Sequence, residues 1–240
     1  MTTARPWVVL PTYNESENLP RLVAAIRAAQ PDAQVLVVDD QSPDGTGEVA
    51  DRLAAECPGV AVIHRPGPRG FGPALAEGFR LALARGSSAI LTMDADFSHD
   101  PGDIPRLLAA LPGADVVIGS RYAPGGQIRA WSFYRRLLSA SANWFVRILF
   151  LLPALDCTSG FRVYQPELLE LMPWDEFHST GYSFLVEMLY FSARAGQRRF
   201  REVPICFVDR RAGASKMGWR EIVLGAANLL KLRLRRLGRR

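Results

Sequence analysis

WVVLPTYNESENLPRLVAAIRAAQPDAQVLVVDD, residues 7–40, decides the fold. It opens on a short β-branched run at 7–10 and breaks at Pro11 into a polar turn. Apolar residues then recur at helical spacing over 19–29, and a second short run closes the stretch at 35–38. Brief Val- and Ile-rich runs bounded by turn residues read as buried strands, and apolar residues three and four apart read as one face of a helix. The same alternation continues outward, with strands at 60–63, 89–93 and 116–118 and helices at 47–56, 73–85 and 104–111. Strand-helix alternation predicts an α/β fold whose mostly parallel central sheet has helices on both faces.

The pattern changes after a turn at 124–126. A long apolar helical segment at 131–152 is followed by a loop, DCTSGFR, at 156–162, and by helical segments at 167–172 and 183–195. Residues 199–207 alternate like a late strand, and 219–236 form a final helix. No repeat or low-complexity linker intervenes, so residues 1–240 read as one domain whose second half elaborates the first.

The chain has 240 residues, 48% hydrophobic and 22% charged, enough for a buried core and unlike disordered, collagen-like or coiled-coil compositions. Three scattered cysteines, Cys57, Cys157 and Cys206, argue against a disulfide framework or a cysteine zinc site. Of the net charge of +5, the last ten residues, KLRLRRLGRR, hold six basic groups and no acid. The remaining 230 residues carry 23 basic and 24 acidic groups, which is not the basic face of a nucleic-acid binder. The opening residues read as a strand and turn, not a secretory signal, and no apolar run reaches the ~20 residues of a membrane span.

Ligands of open parallel sheets bind beyond the carboxyl ends of the strands, and there the polar residues cluster. The first strand runs into Pro11-Thr12-Tyr13-Asn14-Glu15, the second into Asp39-Asp40-Gln41-Ser42-Pro43-Asp44-Gly45, the fourth into Asp94-Ala95-Asp96 and the fifth into Gly119-Ser120-Arg121-Tyr122. Carboxylates gathered on one rim call for a cation among them. Asp94 and Asp96, two apart on an extended chain, lie on one side about 6–7 Å apart, suited to a hard divalent ion shared with phosphate oxygens. The alternative is that one caps the helix near Pro101 and the other is solvated. Asp39 and Asp40 either form a turn, as SPDG suggests for Asp44, or accept hydrogen bonds from a nucleobase or ribose. Glu15 reads as an acid near a helix start. No GxGxxG fingerprint, Walker A, G-x-S-x-G or H-E-x-x-H motif is present. His64, His99 and His178 are scattered and read as surface or turn histidines.

Six blocks in order, LPTYNESENL, VVDDQSPDGTGEVA, MDADFSHDP, GSRY, DCTSGFRVY and VPICFVDRRAGASKMGWREI, resemble the polyprenol-phosphate mannosyltransferases, the dolichol-phosphate mannose synthases of glycosyltransferase family 2. The resemblance implies a GT-A fold and inverting transfer of mannose from GDP-mannose to a polyprenyl monophosphate. It implies that Pro11, Tyr13, Glu15, Val38 and Asp40 line the guanosine pocket. Asp94 and Asp96, with Ala95 between them, would hold Mg²⁺ or Mn²⁺ on the diphosphate. Arg121, Arg210 and Lys216 would contact the diphosphate or sugar, and Arg135 and Ser139 the acceptor phosphate. Ser98 stands where some relatives place a metal-binding Gln. Asp156 and Arg162 read either as functional or as a buried pair holding the TSG loop.

Such an acceptor needs an apolar surface. Residues 131–155 offer an interfacial acceptor-binding helix, or else a buried core helix. The helix and basic tail at 219–240 suit an anionic membrane surface, each basic residue near it contributing about 1 kcal/mol, or else form a solvated end. The expectation is a peripheral enzyme on the cytoplasmic face, with a separate membrane-anchoring protein as an additional partner and no nucleic acid. The competing functions are glucosyl or other sugar transfer to the same lipid, and an inactive nucleotide-sugar-binding subunit.

Overall fold

Alternate residues of the first strand face opposite sides of the sheet, and each side carries its own core. The computed structural model describes residues 4–195, 199–209 and 219–237. Strands β1 (Pro6–Thr12), β2 (Gln34–Asp39), β3 (Val60–His64) and β4 (Ala89–Thr92) alternate with helices α1 (Leu19–Ala29), α2 (Thr46–Glu56) and α3 (Phe71–Ala84). Then come α4 (Ile104–Ala109), β5 (Val116–Ser120), β6 (Gln127–Arg129), α5 (Phe133–Phe150), β7 (Arg162–Tyr164) and α6 (Pro166–Glu170). α7 (Ser183–Ala195), β8 (Phe200–Pro204), β9 (Cys206–Val208) and α8 (Trp219–Leu237) complete the chain.

The main sheet has seven strands in the order β3-β2-β1-β4-β7-β5-β8. β1 pairs in parallel with β2 and β4, β2 with β3, and β5 with β8, while β7 alone runs antiparallel between β4 and β5. β1 to β5 therefore all end on one rim. Chain order reverses between β1 and β4, which places a crevice there. Val8 and Leu10 pack with α1 and α4 on one face, and Trp7 and Val9 pack with α3 and α7 on the other. The second half supplies β7 and β8, which flank β5 of the first half in the same sheet.

Three local expectations need correction. DCTSGFR does not remain a loop to its end, because Arg162–Tyr164 form β7. Only one apolar β-branched residue stands between Arg162 and Tyr164, so its period gave no strand signal although all three are fully buried. The late strand over 199–207 is two strands, because β9 leaves the main sheet after Ile205 to pair with β6. Finally, β4 stops at Thr92 and the chain bends through 95–99, with Phe97 at a φ of +59°, so Asp94 and Asp96 sit on a turn instead of an extended chain.

Candidate active site

Tyr13 lies just beyond β1, with the Arg69 guanidinium 4.9 Å above its ring and donating to its hydroxyl. The two neighbouring aspartates after β2 have different fates. Asp39 forms the turn, its carboxylate accepting from the Ser42 N–H at 3.2 Å and the Ser42 hydroxyl at 2.5 Å. Asp40 is buried against a cation instead. Arg65, itself buried, donates to Asp40 Oδ1, and the Gly70 N–H donates to Oδ2 at 2.6 Å. Arg65 also reaches Glu77 at 3.2 Å, so the ends of β2 and β3 are tied to α3. Asp44 is the turn acid that SPDG predicts. Burial works to raise its pKa, but hydrogen bonds from Thr46 and Ser16 bring it down to about 2.

Glu15 is buried, four residues before α1. Its N–H donates to Thr46 Oγ1 at 2.8 Å, and its carboxylate accepts from Asn18 Nδ2 at 2.9 Å. Pro11 lies within β1, half-buried, and the fully buried Val38 side chain belongs to the core, so Val38 can offer a ligand only its main chain.

The acidic turn after β4 sits under the 156–161 loop. A Cβ built on Gly160 would come within 3.2 Å of Asp94 Oδ1, a tight contact at which the carboxylate would have to shift slightly. The Ser98 N–H donates to Asp96 Oδ1 at 3.0 Å. The helical cap near Pro101 is Asp100, whose Oδ1 accepts from the Gly102 N–H at 2.8 Å, so neither Asp94 nor Asp96 serves that purpose. Among the described residues no three His, Cys, Asp or Glu side chains converge as a metal cage. Two carboxylates on one turn still fit a hard cation that takes its remaining oxygens from a diphosphate and water. The Ser98 hydroxyl, 2% exposed and with no hydrogen-bond partner among the described residues, is a further protein oxygen on this turn.

His99 lies on the 95–99 bend, as a turn histidine, but not at the surface. It is 1% exposed, stacked on Phe161 at 5.1 Å and edge-on to Phe207 at 5.4 Å. Its Nδ1 accepts the Asp94 N–H at 3.2 Å. Burial lowers its pKa to about 4, against the pull of Asp96, so the ring is neutral and acts as an acceptor. Its buried seat comes from aromatic residues more than sixty positions away, which local spacing does not reveal.

Arg121, at the end of β5, forms a two-pronged pair with Asp156, Nε to Oδ2 at 2.8 Å and Nη2 to Oδ1 at 2.7 Å. Asp156 is therefore not paired with Arg162, one of the two roles its sequence position offered. Arg162 spans instead to the carbonyls of Leu185 at 2.6 Å and Cys157 at 2.8 Å, pinning the loop to α7. Burial disfavours both charges of the Arg121–Asp156 pair, but their attraction prevails, raising the arginine pKa and lowering that of the carboxyl. Asp94 adds to the rise on Arg121, which places the guanidinium in the field of the acidic turn. Trp131 and Phe207 flank it, with ring centres 5.6 and 5.5 Å from its central carbon.

Arg135 and Ser139 lie on α5. Arg135 stacks 4.3 Å over Trp131 and pairs with Asp209 at 2.6 Å, and Ser139 Oγ accepts from the Tyr122 hydroxyl at 2.8 Å. Arg121, Trp131, Arg135 and Phe207 thus form one cation–aromatic stack joining the end of β5 to α5. Arg210 and Lys216 lie outside the described residues. Only Asn143, Val146 and Phe150 of α5 are buried. Phe133, Leu137, Trp144, Ile148 and Leu151 are exposed along one stripe, Phe133 at 82% and Leu151 at 76%. No described helix is long and apolar enough to cross a membrane.

Comparison with known proteins identifies the family and the fold. A family model described as glycosyl transferase family 2 matches residues 7–172. An undecaprenyl-phosphate mannosyltransferase of Micrococcus luteus is 46% identical over 213 residues, 89% of this chain and 87% of that protein. A polyprenol monophosphomannose synthase of Mycolicibacterium smegmatis is 45% identical over 217 residues, 90% of this chain and 82% of that one. Among solved structures, glucosyl-3-phosphoglycerate synthase from Mycobacterium tuberculosis, in complex with Mn²⁺, UDP and glucosyl-3-phosphoglycerate, matches with a TM-score of 0.71. That match covers 98% of this chain and 80% of the other at 21% identity, a likeness of fold.

Proposed function

The chain belongs to glycosyl transferase family 2, and from that premise we propose that it transfers mannose from GDP-mannose to a polyprenyl monophosphate with inversion at the anomeric carbon. It is an enzyme of GT-A fold. The observation that carries the substrate pair is the meeting, on one rim, of the Asp94–Asp96 turn, the Asp156-held Arg121 and a helix that pairs Arg135 and Ser139 with an exposed apolar stripe.

The guanosine would enter the pocket of Pro11, Tyr13, Glu15, Val38 and Asp40. Arg65 and Gly70 already hold both oxygens of Asp40, so Asp40 shapes that pocket chiefly as a strut. Asp94 and Asp96 would hold Mg²⁺ or Mn²⁺, which when bound neutralises charge on the diphosphate as it leaves. Arg121 stabilises the same charge, joined in this reading by Arg210 and Lys216, and matters most once the glycosidic bond has lengthened. The acceptor monoester is largely dianionic at pH 7, its second pKa being near ~6. Its oxygen forms the new bond to the anomeric carbon as the bond to GDP breaks, and no proton need be removed. Arg135 and Ser139 would orient that phosphate, with Asp209 giving way at Arg135.

The apolar stripe of α5 would lie against the bilayer on its cytoplasmic face. α8 would support it, since Leu229 and Leu232 bury inward while Leu230, Lys231 and Leu234 remain exposed. A separate anchoring protein would reinforce this contact.

Purified protein incubated with radiolabelled GDP-mannose, polyprenyl phosphate and Mn²⁺, followed by lipid extraction, tests the reading. Label in the lipid phase that disappears with EDTA and falls at least 100-fold in Asp96→Ala supports it. Lipid label only from UDP-glucose refutes the donor, and full turnover by Asp96→Ala refutes the metal role.

A further inference from the structure

A buried amide on α5 does what packing alone would not require. Asn143 is 3% exposed and shares the inner face of the helix with Val146 and Phe150. A buried amide is costly unless its hydrogen bonds are made, and an aliphatic side chain there would pack without that demand. Its bonds are made. Asn143 Oδ1 accepts from the Cys157 N–H at 2.7 Å, and Nδ2 donates to the Ser139 carbonyl at 3.0 Å and to Thr158 Oγ1 at 3.1 Å.

These bonds belong to a closed ring. Thr158 Oγ1 also accepts from Arg121 Nη2 at 2.7 Å and lies 3.4 Å from Asp156 Oδ1, to which it donates, so the hydroxyl is fully used. Asp156 grips Arg121. Tyr122, the next residue, donates to Ser139 Oγ, and Ser139 stands one helical turn before Asn143 on the same face. The ring therefore passes from the end of β5 to α5, across to the 156–159 loop and back.

We propose that Asn143 is a positioning residue that locks α5 to the loop orienting Arg121, and so keeps the acceptor-side Ser139 in register with the donor-side guanidinium. This rests on the mannosyl-transfer reading above. Reacting groups must meet within narrow limits of distance and angle, and a displacement of about 1 Å can cost about 100-fold in rate. α5 exposes an apolar stripe over most of its length, so few buried contacts resist its sliding or rolling. The amide supplies that resistance where the two substrates meet.

The test compares wild type, Asn143→Leu, Thr158→Val and the double variant in transfer from GDP-mannose to polyprenyl phosphate. Melting temperature and GDP affinity are measured alongside. Each single variant should lose roughly 10–100-fold in kcat while its GDP Kd stays within about twofold. The double variant should lose less than the product of the two single losses, because the Asn143–Thr158 bond is cut by both changes. Thr158→Val is nearly isosteric and decides the matter should Asn143→Leu fail to fold. Wild-type kcat in Thr158→Val, even with a lowered melting temperature, overturns the proposal, as do losses that multiply in the double variant. An active wild type with unimpaired variants removes this inference alone, whereas a wild type that makes no mannolipid removes the functional reading and this inference with it.

Discussion

Asp156→Asn changes one charge and almost no volume, yet it strikes the most heavily bonded side chain of the site. The carboxylate, fully buried, accepts from the Arg121 N–H, Nε and Nη2, from the Thr158 N–H and hydroxyl, and from the Ser159 N–H. An asparagine oxygen can retain the Thr158 and Ser159 N–H donors on Oδ1, but its NH₂ then faces the Arg121 N–H, and Arg121, only 9% exposed, loses its counter-charge. Removing one member of a buried ion pair costs about 3–5 kcal/mol. In a chain of 240 residues each kcal/mol lowers the melting temperature by about 2–4 °C, so the variant should melt roughly 6–20 °C below wild type. Adding Arg121→Met removes the stranded charge and should restore about 2 kcal/mol, within the usual coupling of contacting residues. Transfer should remain lost in that double variant, separating the pair's contribution to folding from the guanidinium's contribution to chemistry. The pH dependence has a fixed sign. Arg121 depresses the Asp156 pKa below its unfolded value near ~3.9, so the stabilisation is complete above that value and fades as pH falls through the depressed folded one. Urea unfolding at pH 7 and at pH 3 measures both effects. A stability of Asp156→Asn within about 1 kcal/mol of wild type at pH 7, or a double variant as unstable as the two single losses combined, would refute the reasoning.

Gly72→Ala tests the packing of α3 against the 179–184 segment, because its Cβ would stand 2.6 Å from the Ser179 carbonyl oxygen and 2.8 Å from Phe184 Cδ2. Overpacking of that kind costs about 1–3 kcal/mol, and an unchanged urea midpoint would contradict the close approach of α3 to the 179–184 segment. Trp144→Glu with Leu151→Glu tests the stripe, whose two side chains are 65% and 76% exposed. Thermal stability should move by no more than about 0.5 kcal/mol per substitution, while co-sedimentation with anionic liposomes should fall sharply. Undiminished liposome binding would place the membrane contact elsewhere.

The sheet was legible wherever a strand is a run of its own. β1, β2, β4 and β5 announce themselves by consecutive apolar residues because both faces of a covered parallel sheet are buried, while the edge strand β3, with only Val60 buried, shows by its Val and Ile alone. β7 defeats that signal. Its burial is complete, but Arg162 Nη1 and Nη2 donate to carbonyls of α7 and the 157 loop, so a charged residue occupies a central strand. α5 lay at the other limit, its apolar surplus visible in the sequence while its orientation was not. The structure buries Asn143 and exposes Trp144, the reverse of what side-chain polarity alone would give.

The rim shows why residue type and spacing identify a candidate site yet not the duty of each member. Asp39 and Asp40 are adjacent and chemically identical, and both follow a strand. One closes a turn with Ser42, three residues on; the other carries the charge of Arg65, twenty-five residues on. Asp94, Asp96 and Asp100 likewise share one short segment, and only Asp100 caps the helical turn that local rules foresee. Local rules settle the turn and the cap because donor and acceptor are near neighbours in the chain, where the loss of chain entropy on closure is small. A buried carboxylate that must answer a cation is settled by whichever distant strand or loop delivers the guanidinium. Asp156 illustrates this, since Arg162 is much nearer in sequence but Arg121, thirty-five residues away, is the one whose fork meets it. The functional chemistry of this rim therefore depends on contacts made by the sheet order β4-β7-β5, which brings the 156–161 loop between the acidic turn and the end of β5.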